Sequence, residues 1–114
     1  MPFILPTLLS FQGSIHLLGV GSFSKFKIKE GHVEDYLASK REMVQKSQAE
    51  EGCISYTLNA VKDQPDVVAL LEIWKDEEAL ELHKNSEHFK TLLPLGKEFV
   101  DGVISSDIFT EYEL

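Results

Sequence analysis

The sequence predicts a single α+β domain with the chain order β-α-β-β-α-β, and three observations predict it. Phe26-Lys27-Ile28-Lys29, Cys53 to Lys62 and Val67 to Lys75 alternate, or run apolar, with the period of strands. Val33 to Ser47 and Ala79 to Lys84 repeat their apolar residues at helical spacing. Between them, Asp63-Gln64-Pro65-Asp66 has the chemistry of a turn, which joins two strands directly as a hairpin.

Taken in order, Ile15 to Lys29 is a long first strand whose Gly19 and Gly21 mark a bend or bulge. Glu30-Gly31 breaks it. A helix follows, with Glu34 and Asp35 in the first turn where the helix dipole favours anions. Its inward face is Val33, Tyr36, Leu37, Lys40, Met43, Val44 and Ser47. Glu50-Glu51-Gly52 ends it, with Gly52 expected in a left-handed C′ position. The second strand, Cys53 to Lys62, puts Ile54, Tyr56, Leu58 and Ala60 on one face, and Val67 to Lys75 is the third strand. Asp76 caps the next helix, which carries Ala79, Leu80, His83 and Lys84 along one side. Asn85-Ser86 restarts the chain into a second helical piece from about Glu87, and Pro94 must kink or end that piece. Gly102 closes the segment, and Val103 to Tyr112 is the fourth strand.

Right-handed crossovers turn this order into a ferredoxin-like split βαβ: a four-stranded antiparallel sheet with the helices on one face. The third strand adds a further expectation. Val67, Ala69, Leu71 and Ile73 are apolar at one parity, and Val68, Leu70 and Trp74 at the other. A strand apolar on both faces is covered on both faces, yet the helices cover only one. A second copy of the chain is the expected cover, closing two sheets into a dimeric α+β barrel.

Size and charge narrow the function classes. The 114 residues form one domain's worth of chain, and their apolar content excludes intrinsic disorder. A net charge of −8 and the lack of any basic run beyond Lys25, Lys27 and Lys29 argue against nucleic acid as a partner. The one cysteine, Cys53, cannot form an internal disulfide, which fits a reducing, cytoplasmic compartment. Residues 1–24 carry no Asp, Glu, Lys or Arg. Pro6 interrupts the early apolar run and no basic n-region precedes it, so neither a signal peptide nor a membrane span is expected. Residues 1–14 are expected to be a disordered or non-native extension of a domain spanning 15–114.

Glu72-Ile-Trp74-Lys-Asp76, then Ala79-Leu80, His83 and Ser86-Glu-His88-Phe89, resembles the signature of the antibiotic biosynthesis monooxygenase-like family. Lys29-Glu30-Gly31 is similar to that family's Lys-Pro-Gly turn, with Glu30 in place of Pro. Glu51-Gly52-Cys53-Ile54-Ser55-Tyr56 is similar to its Glu-(Pro)-Gly-Cys-x-x-Tyr segment. The resemblance covers Leu17 to Tyr112. It implies a homodimer that oxidises a small phenolic, quinol or polyketide-like substrate with O2, using neither metal nor flavin, so that no cofactor is expected. A deprotonated electron-rich ring can pass an electron to oxygen itself. The protein must supply a dry cleft, a base and hydrogen bonds to the phenolate.

The candidate catalytic residues are His83 and Trp74, and the candidate substrate-binding residues are Tyr56, Glu72, His88 and Phe89. Each also has a structural role open to it. Trp74 can be core with one indole N–H to satisfy. His83 can be a satisfied core histidine or a base with a pKa near working pH. Tyr56 and Phe89, with Phe26 and Phe99, can line an aromatic cleft or simply pack. Glu72, inside an apolar strand, can pair across the dimer or bond a tyrosine or backbone. His88 lies five residues beyond His83, which is not the i, i+4 spacing of two ligands on one helix, so no metal is expected.

Three other functions compete. Haem degradation, known on this fold, is disfavoured because Leu93 stands where that branch has its iron-ligating His and because the chain is anionic. An isomerase of a small phosphorylated signal would need cations, for which Lys27, Lys29 and Lys84 are the candidates. The third is a dimer that binds a small molecule without catalysis.

Overall fold

The computed structural model describes residues 17–114, and the expectation for residues 1–14 lies outside them. The elements are β1 (Leu17–Ile28), α1 (Val33–Gln48), β2 (Cys53–Val61), β3 (Gln64–Trp74), α2 (Glu77–Lys84), α3 (Glu87–Leu92), a 3-10 turn (Lys97–Phe99) and β4 (Val100–Tyr112). The strands form one antiparallel sheet in the order β2-β3-β1-β4. This is the split βαβ arrangement, with the second helix divided in two. Asp76 caps α2 by accepting from the Ala79 N–H at 2.8 Å, and Ser86 caps α3 by accepting from the Phe89 N–H at 3.2 Å. α3 stops at Leu92, two residues short of Pro94.

Register sorts the sheet residues into two faces. Val20, Ser22, Ser24 and Phe26 pair with Trp74, Glu72, Leu70 and Val68, and Tyr56, Leu58 and Ala60 join them from β2. This face meets the helices. Val20, Tyr56 and Trp74 pack there with Met43, Ala79 and Leu80, while Ile28 and Val68 pack with Tyr36. Trp74 is 0% exposed, and burying a side chain of that size is among the largest single contributions to the core. The opposite face carries Phe23, Ala69, Leu71, Ile73 and Phe109, with none of the described helices over it.

Four sequence expectations are corrected. The hairpin turn is tighter than Asp63 to Asp66: Val61 pairs with Gln64, and Asp63 takes φ +64, a conformation Asp tolerates. β3 therefore starts at Gln64, ahead of the segment that pairs with β1, and Pro65 there interrupts no ladder with that strand. Gly52 is not left-handed. Its backbone sits so close to α2 that a Cβ would lie 2.4 Å from the Ala79 Cβ, and this close approach is why glycine is required. Ile54 is 64% exposed, because the register shift between Cys53 and Ser55 turns it off the inward face that Tyr56 and Leu58 share. Gly102 lies inside β4 rather than before it, at a point where the β1–β4 register shifts. The bulge expected at Gly19 is present: Gly19 has φ +62, and the register shifts between Leu18 and Gly21.

Candidate active site

Four elements bring polar groups into the core beside Trp74. His83, in the last turn of α2, is 1% exposed. Its Nδ1 lies 2.7 Å from Glu50 Oε2, at the end of α1, and His88 Nε2, on α3, lies 2.8 Å from the same oxygen. An ionised carboxylate only accepts, so both imidazoles donate to it. His83 Nε2 is buried without a hydrogen-bond partner, and in the neutral tautomer that donates from Nδ1 this atom carries the ring's lone pair. Glu72 Oε1 stands 3.9 Å from that nitrogen and accepts the Trp74 indole N–H at 3.0 Å. A proton arriving at His83 Nε2 would make an imidazolium between two carboxylates.

Aromatic rings enclose the imidazole. Trp74 stacks on it at a tilt with centroids 4.6 Å apart, Phe89 meets it edge-on at 5.1 Å, and Tyr56 packs at 5.5 Å. Ser86 fixes the junction of the two helices, donating its hydroxyl to the His83 carbonyl at 2.6 Å. Burial holds the Glu72 carboxyl above the usual carboxylate range, with the Trp74 N–H and His83 pulling the other way. Burial, and then the Glu72 charge, push the Tyr56 phenol well above its ordinary 10, so at neutral pH it is an O–H donor. Burial and then the Glu50 and Glu72 charges raise the Cys53 thiol above its ordinary value.

Tyr56 also forms one wall of a cavity of about 270 Å³ between α1 and the sheet. Its other walls are Phe26, Met43, Val44, Leu58, Leu70, Val100 and Val103, with Tyr36, Lys40, Leu93 and Lys97 completing the lining. The next inward residue of β3 after Leu70 is Glu72, so the cavity and the imidazole cluster are neighbours along the same strand. A space of this size holds a ligand smaller than a typical drug.

The six residues singled out in the sequence thus come together: Trp74, Tyr56, Glu72, His88 and Phe89 all surround His83 or its carboxylate partners. Tyr56 alone of the six also lines the cavity. Phe26 lines it too, whereas Phe99 stacks on His32 with centroids 5.4 Å apart. The residue missed was Glu50. The signal was there: an acid just past a helix C-terminus opposes the dipole unless it is used elsewhere. The spacing objection to a metal does not carry over, because His83 and His88 converge from two separate helices. With Glu50 they place three ligand atoms within 4.8 Å of one another, a donor set that zinc accepts. Here the three atoms close on one another through hydrogen bonds.

Comparison with known proteins agrees with the fold. The model of the family described as antibiotic biosynthesis monooxygenase matches residues 22–94. A Bacillus subtilis (strain 168) protein named "Putative monooxygenase YcnE" is 35% identical over 76 residues, covering 67% of this chain and 80% of that protein. The crystal structure of a conserved protein from Methanosarcina mazei Go1 superposes with a TM-score of 0.75 at 30% identity, covering 81% of this chain and 91% of the other. A Shewanella oneidensis structure shares the fold at a TM-score of 0.76 and 23% identity, over 88% and 97% of the two chains. Among the described residues no helix is long and apolar enough to cross a membrane. With the family match spanning more than half its length, the chain belongs to the antibiotic biosynthesis monooxygenase family.

Proposed function

We propose that this protein is a monooxygenase that oxidises a small phenolic, quinol or anthrone-like substrate with O2, without metal or flavin, and that it works as a cytoplasmic homodimer. One observation carries the reading: an apolar cavity shares a wall, Tyr56, with a buried imidazole whose Nε2 is unbonded. The cavity supplies a dry site for an electron-rich ring. The neutral Tyr56 phenol donates to a substrate oxygen, and His83, held through Nδ1 by Glu50, receives the proton lost from the substrate. Tyr56 both lines the cavity and packs on the imidazole with centroids 5.5 Å apart, which is what links the two. For an anthrone the reaction balances as a ring CH2 and O2 giving C=O and water: the substrate loses two hydrogens, one oxygen atom enters the product, and the other leaves as water.

The dimer rests on the open sheet face, where Phe23 and Phe109 remain 37% and 39% exposed beside Leu71 and Ile73. A non-catalytic binding dimer differs from this reading only in consuming no oxygen. The isomerase reading gains no support from the cations named for it. Lys27 pairs with Asp66 at 3.4 Å and Lys84 with Glu81 at 3.5 Å, and none of Lys27, Lys29 and Lys84 lines the cavity.

An oxygen electrode tests the proposal. Quinols, catechols and an anthrone should stimulate uptake by the wild type, and chelator treatment should leave the rate unchanged. His83→Gln should lower it by about 10²–10⁴-fold while the fold is retained. Uptake equal to the protein-free rate with every substrate would refute it.

A further inference from the structure

We propose that the cavity takes its ligand as an anion: a flat aromatic carboxylate of one or two rings. Its charged end would lie between Lys40 and Lys97, and its ring among Phe26, Met43, Leu58 and Leu70. This rests on reading the cavity as the substrate site and adds the charge of the substrate to it.

The chain carries 19 acidic side chains and a net charge of −8, yet among the described residues no carboxylate lines this cavity. Its only charged lining residues among those described are Lys40 and Lys97. Four of the eight other lysines sit beside acids: Lys27 with Asp66, Lys46 with Glu42, Lys75 with Glu51 and Lys84 with Glu81. Among the described residues, neither Lys40 nor Lys97 has a carboxylate partner. The Lys40 ammonium is half-buried, and its contacts are the neutral Leu93 carbonyl at 3.0 Å and the face of the Tyr36 ring at 5.8 Å. Burial lowers its pKa, as expected of a cation short of counter-charge. A ligand anion would supply the charge the chain withholds.

The placement of the two lysines is built into the backbone. Gly96 has φ +85 and lies so tightly on α1 that a Cβ there would fall 2.2 Å from the Ser39 hydroxyl. That turn delivers Lys97 to the same rim as Lys40, which follows Ser39 on α1. The Lys40 bond to the Leu93 carbonyl ties the segment down from the other side. Away from this rim the wall is apolar, apart from the two phenols. It therefore fits a ring system and offers little to the hydroxyls of a sugar.

Calorimetric titration of the full chain with naphthoate and with its neutral isostere naphthamide tests the inference. Naphthoate should bind about 10-fold more tightly, with an affinity that falls as salt rises. Lys40→Met and Lys97→Met, which keep the apolar stems, should each abolish most of that preference and leave naphthamide affinity unchanged. Leu93→Trp, at the exposed mouth, should weaken both ligands, with thermal melts confirming that all variants are folded. Equal binding of acid and amide, or a preference that survives both lysine variants, overturns the anion while leaving the cavity as the site. Glucose 6-phosphate competing as well as naphthoate overturns the aromatic class. Binding of neither probe, or binding indifferent to Leu93→Trp, overturns the cavity reading together with the inference.

Discussion

At the scale of single residues, Trp74 and Glu72 divide the work of holding the imidazole. The indole fills the core completely and gives its N–H to Glu72, so both its surface and its polar atom are accounted for. Trp74→Ala should cost about 3–5 kcal/mol in chemical denaturation and also free the Glu72 carboxylate. Trp74→Phe should recover most of the packing without the hydrogen bond. Glu72 makes a prediction in pH. Its carboxyl is held above the ordinary 4.5 by burial, so the folded protein binds that proton more tightly than the unfolded chain does. The stability this contributes is fully present below 4.5 and is lost as pH rises through the raised folded value. Glu72→Gln can still accept from Trp74 but has no proton to lose. Its stability relative to wild type should therefore rise as pH climbs above 4.5 through the raised folded value, as read from urea midpoints. A difference constant across that range would place the burial cost elsewhere.

At the scale of elements, the join between α1 and β2 sets the site. Gly52 lets α2 approach until the Ala79 Cβ occupies the place a side chain would take, and that approach accompanies the placing of His83 over Glu50. Gly52→Ala should destabilise by about 1–3 kcal/mol through overpacking, and adding Ala79→Gly should restore much of the loss. Full additivity of the two changes would contradict a direct contact. The elements themselves were legible in the sequence because hydrophobic period and capping residues are local signals: Asp76, Ser86 and Pro94 each act where they stand. Gly52 shows the limit. A glycine after a helix looks the same whether it supplies a left-handed φ or a close approach, and only the position of α2 separates the two. The inward face of α1 held a further readable sign, since Lys40 falls on it among apolar residues, and the structure puts it at the cavity rim. Glu50 was not read because its partners lie 33 and 38 residues away, on two helices whose division at Asn85-Ser86 decides where His83 and His88 meet.

For the whole molecule, the sheet is covered by helices on one side and leaves an apolar face on the other, and the proposed dimer would cover that face with a second copy. The Phe109 ring lies over Gly21, where a Cβ would come within 2.3 Å of it, so aromatic surface is carried to the centre of the open face. Leu71→Lys should shift the protein from dimer to monomer in light scattering, and dilution of the wild type should lower its melting temperature. A wild-type monomer would leave the apolar face of β3 without a cover. The function rests on a different quantity, the fate of molecular oxygen. The most direct test is mass spectrometry of the product after turnover of an anthrone under isotopically heavy O2, using chelator-treated protein free of bound flavin. One heavy oxygen atom per product, formed far faster than without protein and suppressed in His83→Gln, is the predicted result. Product carrying no heavy oxygen, or formed no faster than in buffer, would contradict it.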